Sequence, residues 1–197
     1  MNTIAVFCGS SSGTDPAYIR DARLLGKALA ERNITLIYGG GCIGLMGHLA
    51  DSALLAGGKV IGVIPRSLLE REVAHLGLTE LIVTDTMHQR KEAMADRAQG
   101  FIALPGGFGT FDELFEILTW AQLGIHARPI GLLNTEGFFT PLLVWLEKVV
   151  VEQGFVKSKH AKELLMVERS TESLLDRLAC SRGFHSPPSS PADPDLR

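Results

Sequence analysis

The segment FIALPGGFGTFDE at positions 101–113 combines residue types that can hold a phosphate with one that can act on the molecule carrying it. An apolar run ends at Pro105, glycines follow at positions 106, 107 and 109, and an amphipathic stretch then begins. This pattern predicts a buried strand, a tight turn and the first turn of a helix, where free N–H groups and the helix dipole favour an anion. Because a carboxylate cannot ligate that anion, Glu113 is a candidate for chemistry, whereas Asp112, nearer the helix start, complements the dipole.

The motif MHQRK at positions 87–91 is a second candidate, because it places two cationic side chains at the predicted start of a helix. Arg90 could clamp a phosphate or a ribose hydroxyl through its fork of donors. However, Arg90, Met94 and Arg97 also recur at the spacing of one helical face, which is typical of a solvated basic face bordered by a methionine. Physical chemistry alone leaves both interpretations of Arg90 open.

The glycine-rich loop GGGCIGLMG at positions 39–47 is a third candidate and matches GxGxxG at Gly39, Gly41 and Gly44. A dinucleotide fingerprint normally follows the first strand and precedes an acidic residue that binds the ribose. Here the next predicted strand ends in the sequence IPR, without an acid. We therefore expect these amides to contact a mononucleotide, and tight backbone packing is the alternative reason for some of the glycines.

Short apolar runs alternate with longer amphipathic stretches, and this alternation predicts the elements that position the candidate residues. Several of the runs at 4–8, 35–38, 59–64, 81–84, 101–104 and 129–133 are apolar at successive positions, which is typical of parallel strands covered on both faces. Helices are predicted from Pro16, after the N-cap Asp15, and at 45–56, 86–98, 110–123 and 140–152. The sequence therefore predicts an α/β fold, a Rossmann-like doubly wound parallel sheet with helices on both faces, in a single domain.

We assign residues 1–180 to that domain. Beyond Lys157 the pattern predicts a shorter α/β appendage, with a strand or extended piece at 164–167 and a helix at 171–179. Residues 181–197 are rich in proline and serine and poor in apolar side chains, so this tail is predicted to be disordered.

The carboxyl ends of the predicted strands should form the ligand site, because open parallel sheets bind ligands there, near the point where the strand order reverses. Four informative loops directly follow predicted strands, at 9–13, 39–47, 87–91 and 105–113. All four should meet at the same edge of the sheet. The sequence therefore predicts a ligand crevice built from these loops.

Composition argues against several classes of protein. The formal net charge of −3 disfavours nucleic acid as the main partner, because nucleic-acid-binding proteins usually carry a basic face. The N-terminus has no basic region, and no segment approaches the roughly 18 apolar residues that cross a bilayer. Three widely spaced cysteines and six histidines without ligand spacing indicate neither a disulfide framework nor a metal site. We expect a cytoplasmic protein that binds neither nucleic acid nor membranes.

Taken together, the motifs resemble the LONELY GUY (LOG) family of cytokinin riboside 5'-monophosphate phosphoribohydrolases. The resemblance extends from about Ile4 to Ala179 and includes CGSS at 8–11, TWAQLGIH at 119–126 and the RPIGLLN strand that follows. It implies hydrolysis of the N-glycosidic bond of adenosine 5'-monophosphate, N6-prenylated or plain, which releases base and ribose 5-phosphate without a metal or other cofactor. The family is usually dimeric, so the resemblance also implies a homodimer or an assembly of dimers. Many shorter bacterial members carry the label lysine decarboxylase, which these motifs do not suit.

The resemblance also implies roles for individual residues. It places the catalytic arginine on Arg90 and the catalytic glutamate on Glu113, and a contact after the third strand on Glu72, for which Glu70 is a competing alignment. The remaining substrate-binding and phosphate-binding residues implied or predicted are Ser10, Gly40, Gly41, Met46, Lys91, Gly106, Gly107, Phe108, Gly109, Thr110, Asp112 and Thr119. Two of these depart from the family pattern, since many members have Tyr in place of Phe108 and Glu in place of Asp112.

The expected mechanism follows from the charge that develops when a glycosidic bond breaks, because the transition state resembles an oxocarbenium ion. The amides of residues 106–110 would fix the phosphate and so position the sugar. Glu113 would stabilise the cation and orient or deprotonate the attacking water, while Arg90 would keep Glu113 ionised and grip the ribose or phosphate. Met46, Met94 and Trp120 are candidates to line the base pocket. No acid for the leaving base stands out.

Three other functions use parts of the same pattern. A non-catalytic nucleotide-binding or cofactor-binding module would retain its ligand and release no base. A deoxyribosyltransferase would pass the sugar to a second base, but the phosphate loop disfavours it because such enzymes act on nucleosides without a 5'-phosphate. An NADP-dependent oxidoreductase would need a second nucleotide subsite and a hydride-transfer partner, for which the sequence gives no signal.

Overall fold

Seven parallel strands form one sheet. In the computed structural model, which describes residues 1–69 and 74–181, the strand order is β4-β3-β2-β1-β5-β6-β7. The order runs outward from β1 in both directions, which confirms the predicted doubly wound arrangement. The strands are β1 (Thr3–Phe7), β2 (Thr35–Tyr38), β3 (Val60–Pro65), β4 (Glu80–Thr84), β5 (Phe101–Ala103), β6 (Ile130–Leu133) and β7 (Leu165–Glu168).

Helices cover both faces of the sheet. They are α1 (Pro16–Glu31), α2 (Gly44–Leu55), α3 (Met87–Arg97), α4 (Phe108–Gln122), α5 (Thr140–Trp145), α6 (Ser158–Glu163) and α7 (Thr171–Cys180). Along β1, Ile4 and Val6 pack with α1, α2 and α7, whereas Ala5 and Phe7 pack with α3 and α4. Successive strand residues thus point into two different apolar clusters, which is why the strand sequences are apolar at every position. No helix in the described part of the chain is both long and apolar enough to cross a membrane.

The helix starts follow local capping rules. The Asp15 carboxylate accepts a hydrogen bond from the Ala17 amide at 2.8 Å, and Pro16 occupies the first helical position, as predicted. At α3, Thr86 and Gln89 form a reciprocal capping box. The start of α4 differs from the prediction, because the helix begins at Phe108 rather than at residue 110.

The end of the chain corrects one prediction. The piece predicted as part of an appendage is β7, which pairs in parallel with β6 and completes the main sheet. Strand β6 would otherwise present an open edge, and α7 covers the new strand pair with the buried side chains of Leu174 and Leu175. The predicted helix at 140–152 also divides, because α5 ends at Trp145 and a π-helical segment, Leu146–Val151, follows it. Beyond residue 181, the predicted disordered tail lies outside the described residues.

Helices α1 and α2 make their closest approach at Gly26. A Cβ atom on Gly26 would overlap the carbonyl oxygen of Leu49 and lie 3.1 Å from the amide of Ala53. The absence of a side chain therefore sets the distance between these two helices. Because α2 follows the glycine-rich loop at 39–47, this packing also fixes one wall of the predicted crevice.

We expect Gly26→Ala to lower the free energy of unfolding by about 1–3 kcal/mol, because overpacking forces the backbones apart. The direction of this change is informative, because replacing glycine by alanine in an exposed helix raises the free energy of unfolding by up to about 1 kcal/mol. Urea denaturation of the variant measures the effect. Lys27→Ala, at the exposed neighbouring position, is the control and should stay within about 0.5 kcal/mol of the parent protein. An unchanged denaturation midpoint in Gly26→Ala would show that the two helices separate without cost.

Candidate active site

The loops that follow β1, β2 and β5 meet at the point where the strand order reverses. The Gly9 amide donates to the Pro105 carbonyl at 3.1 Å, and the Gly9 carbonyl accepts from the Leu45 amide at 3.1 Å. A Cβ atom on Gly44, which has a φ of +62°, would overlap the backbone of Ser10. These contacts bring three of the four predicted loops together, and they assign Gly44 to tight packing rather than to a ligand.

The start of α4 has the features of an anion site. Gly107 is its N-cap and provides no side-chain hydrogen bond, and the first amides of a helix have no acceptor within the helix. A Cβ atom on Gly107 or Gly109 would meet nothing within 4 Å among the described residues, and neither residue has a positive φ. Neither packing nor backbone conformation therefore requires glycine at these positions. Open space over unpaired amides is the arrangement that a phosphate would fill.

Gly106 and Thr110 differ from these two glycines because they pack against each other. Thr110 is buried, and a Cβ atom on Gly106 would overlap its Oγ1 and lie 2.8 Å from the Gly9 amide. Phe108, between the open glycines, is 96% exposed. The turn is therefore held from beneath by Thr110, while its upper surface stays accessible.

Arg90 and Glu113 form a buried ion pair beside this helix start. Arg90 Nη1 lies 3.2 Å from Glu113 Oε1, and the two residues are 8% and 7% exposed. Arg90 projects from α3 and Glu113 from the second turn of α4. The structure therefore brings together the two residues that the sequence singled out from separate motifs, and it excludes a solvated face for Arg90.

Several groups hold the Arg90 guanidinium in place. Its Nε donates to the Val63 carbonyl at 3.1 Å, at the end of β3. A Cβ atom on Gly39 would overlap Arg90 Nη2 and lie 3.0 Å from Met46 Sδ. Gly39 is thus the second glycine of the GxGxxG match with a packing role, because the guanidinium occupies the space of a side chain. Gly39 was not predicted as a site residue, since its function depends on a residue 51 positions further along the chain.

The charges of Arg90 and Glu113 also affect the pKa of the neighbouring Cys8 thiol. Burial raises the pKa of this thiol, and the Glu113 carboxylate raises it further, while Arg90 opposes the shift. The thiol is therefore neutral and unreactive at physiological pH. This neutral neighbour therefore adds no charge to the surroundings of the Arg90–Glu113 pair.

Lys91 occupies a second ion-pair cluster at the surface of the site. Its Nζ lies 3.2 Å from Asp112 Oδ2 and 3.0 Å from Glu116 Oε1. Burial lowers the pKa of Lys91, but the hydrogen bonds that its ammonium group donates to Glu116 and Asp112, together with their negative charges, outweigh that effect and the net pKa is raised. The ammonium group is therefore charged and joins α3 to α4 one turn from the buried pair.

The remaining predicted residues are distributed around the crevice. Ser10 lines a cavity of ≈ 240 Å³ between the loops after β1 and β5, together with Tyr18 and Phe138, which sequence analysis did not identify. Gly40 has a φ of +81° and its carbonyl accepts from the His75 amide, and Gly41 forms an isolated bridge with Ala74.

Other predicted residues lie away from the crevice or outside the description. Thr119 is exposed on α4, donates its hydroxyl to the Phe115 carbonyl, and lines a separate groove of ≈ 330 Å³ against α5 and α6. Met94 is buried in the core beneath the site, and Trp120 packs against the same cluster. Glu72 and its competitor Glu70 lie outside the described residues. No cluster of three His, Cys, Asp or Glu side chains suited to a metal ion occurs within 1–69 and 74–181.

Solved structures show how widely this fold is used. The molybdenum cofactor carrier protein of Chlamydomonas reinhardtii is 22% identical, with a TM-score of 0.68 and coverage of 91% of this chain and 99% of that chain. The molybdenum cofactor binding protein of Rippkaea orientalis is also 22% identical, with a TM-score of 0.68 and coverage of 90% and 95%. Identities this low establish the fold alone.

Sequence comparisons are more specific. The profile of the family described as "Possible lysine decarboxylase" matches residues 46–178. The cytokinin riboside 5'-monophosphate phosphoribohydrolase LOG2 of Arabidopsis thaliana is 48% identical over 175 residues, which cover 89% of this chain and 81% of LOG2. LOG1 of the same plant is 47% identical with the same coverage. Identity at this level over most of both chains, together with the Arg90–Glu113 pair beside an open helix start, shows that the chain belongs to the LOG family of cytokinin riboside 5'-monophosphate phosphoribohydrolases.

Proposed function

We propose that this protein hydrolyses the N-glycosidic bond of adenosine 5'-monophosphate or an N6-substituted derivative, releasing the free base and ribose 5-phosphate. The observation that carries the proposal is the buried Arg90–Glu113 ion pair beside the open amides at the start of α4. The activity for which the relatives LOG2 and LOG1 are named supports the same reaction, and these relatives match 89% of the chain.

The phosphate provides the anchor in this proposal. The amides at the start of α4, above Gly107 and Gly109, bind the 5'-phosphate in the open space over the helix start. Binding energy at the phosphate, remote from the bond that breaks, then positions the ribose for reaction. Glu113 lies in the second turn of the same helix, so a sugar attached to that phosphate comes within reach of its carboxylate.

Glu113 then acts on the ribose. Loss of the base leaves positive charge on the sugar, and an ionised carboxylate stabilises that charge and orients or deprotonates the attacking water. Arg90 supports this role at 3.2 Å, because a neighbouring cation favours the ionised form of a carboxyl group. We propose that the guanidinium also grips the ribose or the phosphate through Nη2, because Nε donates to the Val63 carbonyl and Nη1 to Met87 Sδ.

Lys91 contributes positive charge near the phosphate. Its ammonium group already binds Asp112 and Glu116, so we propose that it acts mainly by joining α3 to α4 and by adding to the local field. Ser10, Gly40, Gly41 and Met46 complete the crevice wall around the nucleotide. Binding roles for Glu72 and Thr119 stay predictions.

We also propose a homodimer, or an assembly of dimers. The segment from α5 through the π-helical turn exposes large apolar side chains, among them Val144, Trp145 and Val149. Phe155, which follows the same segment, is exposed as well. Apolar side chains grouped in this way are typical of surfaces that bind another protein chain.

Glu113→Gln should abolish base release while nucleotide binding is retained. The amide cannot stabilise a cation or accept a proton, and loss of a general base typically costs about 10²–10⁴-fold in rate. Incubation with AMP and with isopentenyladenosine 5'-monophosphate, followed by chromatography of free base and ribose 5-phosphate, measures turnover, and calorimetry measures binding.

Glu92→Gln is the matched control for that experiment, because it makes the same change at an exposed position of α3. We expect this variant to keep most of the activity. Base release by Glu113→Gln at the parent rate would contradict the proposal. Tight nucleotide binding without base release by the parent protein would instead favour a non-catalytic nucleotide-binding module.

Gly109→Ala should impair catalysis without impairing folding. The added methyl group meets no described atom within 4 Å, and alanine favours a helix, so the free energy of unfolding should be unchanged or should rise by up to about 1 kcal/mol. The same methyl group projects into the space assigned to the phosphate, so KM for the nucleotide should rise. Leu174→Ala, which removes a buried side chain on α7, is the opposite case, with lower stability and an unchanged KM. An unchanged KM in Gly109→Ala would show that the phosphate does not bind at this position.

Trp145→Glu should convert the dimer to a monomer, because a buried, unpaired carboxylate is costly at an interface. Light scattering coupled to size-exclusion chromatography measures the molar mass. Lys27→Glu, on α1 at the other face of the sheet, should leave the mass unchanged. A monomeric parent protein, or a dimeric Trp145→Glu variant, would contradict the proposed interface.

A further inference from the structure

A short segment between α4 and β6 contacts both helices that carry the ion pair. His126 Nε2 lies 3.0 Å from the carbonyl oxygen of Ile117, on α4. Arg128 Nη1 donates to the carbonyl oxygens of Ala95 and, at 3.1 Å, Ala98, at the C-terminal end of α3. We call His126 and Arg128 the helix bridge. These residues belong to a motif that the resemblance included but to which no function was assigned.

The hydrogen bonds of His126 define its chemical form. Its Nδ1 accepts from the Arg128 backbone amide at 3.2 Å, and an amide N–H can only donate. The proton therefore resides on Nε2, which donates to the Ile117 carbonyl. Burial and the Arg128 charge lower the pKa of the imidazole, while the Ile117 hydrogen bond opposes the shift. The ring is therefore neutral. It connects a backbone donor, the Arg128 amide, to a backbone acceptor, the Ile117 carbonyl.

The bridge rests on the core of the sheet. The Arg128 guanidinium lies 4.9 Å from the centroid of the Phe101 ring, and the His126 ring lies 5.3 Å from the same centroid. Phe101 is fully buried at the start of β5 and stacks on Phe7 of β1. The donors that contact α3 and α4 are therefore fixed relative to the two central strands.

The residues that the bridge contacts lie close to Arg90 and Glu113 along their helices. Ile117 follows Glu113 by one helical turn on the buried face of α4. Ala95 follows Arg90 by five residues, near the end of α3, which has only 11 residues. A shift of either helix along or away from the other would thus change the 3.2 Å separation of Arg90 and Glu113.

We propose that His126 and Arg128 are positioning residues, which set the spacing and axial register of α3 and α4 and thereby the geometry of the Arg90–Glu113 pair. The catalytic consequence rests on the proposed function, whereas the geometric consequence does not. The bridge contacts α3 at its C-terminal end and α4 at Ile117, which lies between two and three turns beyond the helix start that binds the phosphate in the proposal. Its loss therefore changes the turnover of bound nucleotide rather than nucleotide binding.

Paired variants test this inference. His126→Leu removes both hydrogen bonds, whereas His126→Gln keeps one donor and one acceptor. We expect kcat for base release to fall by roughly 10–100-fold in His126→Leu with KM unchanged, because small displacements of a catalytic group are costly. Most of the rate should return in His126→Gln. Arg128→Met and Arg128→Lys form a second pair with the same expected order.

Two controls separate positioning from general destabilisation. Leu174→Ala removes a buried side chain on the opposite face of the sheet, so it should lower stability without lowering kcat at a temperature where the variant is folded. In a Glu113→Gln background, His126→Leu should cause no further loss of rate, because the group it positions is already absent. Parent-like kcat in His126→Leu, or an equal loss in Leu174→Ala, would overturn the inference.

A structural measurement tests whether the bridge sets the geometry of the Arg90–Glu113 pair, and it does not require that the protein turn over nucleotide. The Arg90 Nε–H group donates to the Val63 carbonyl, so its NMR signal reports the position of the guanidinium. We expect this signal to shift in His126→Leu and to return in His126→Gln. An unmoved signal in His126→Leu would refute the role of the bridge, while absence of base release by the parent protein would refute only the proposed function.

Discussion

The buried ion pair between Arg90 and Glu113 is the interaction around which the rest of the site is built. A charge removed from water is costly unless it is paired and its remaining hydrogen-bonding groups are satisfied. The structure meets this requirement with the Glu113 carboxylate, the Val63 carbonyl and the space left by Gly39. Each of these groups comes from a different element of the fold. The pair therefore exists only when β2, β3, α3 and α4 have all taken their places.

The doubly wound sheet explains why the pair lies beside an open helix start. Strands β1 and β5 are neighbours, but their connections leave on opposite sides, which opens a crevice at their carboxyl ends. Two kinds of glycine shape this crevice. Gly9, Gly44 and Gly106 permit backbones to approach, whereas Gly107 and Gly109 border open space. Steric packing accounts for the first kind, and we propose that the approach of a ligand accounts for the second.

Local signals in the sequence predicted the fold well, and long-range contacts explain what they missed. Only a few neighbouring residues are needed to recognise the apolar runs, the Asp15–Pro16 helix start and the loops at the strand ends. The position of β7 was missed, because a short apolar run carries no information about which strand it joins. The packing of Gly39 against Arg90, the contact of His126 with α4 and the contacts of Arg128 with α3 were missed for the same reason, since each depends on partners that only the tertiary structure brings together.

Fold alone does not separate hydrolysis from carriage, because the molybdenum cofactor carrier of Chlamydomonas reinhardtii has the same architecture. A helix start with open amides is sufficient to hold a phosphorylated ligand. Hydrolysis needs in addition a carboxylate that stays ionised while buried, at the distance from the phosphate that a ribose spans. An adjacent guanidinium is the simplest means of keeping that carboxylate ionised, and it costs stability unless the fold holds it firmly. The Val63 carbonyl and the space left by Gly39 hold Arg90 in this structure, and the proposed helix bridge fixes the two helices that carry the pair.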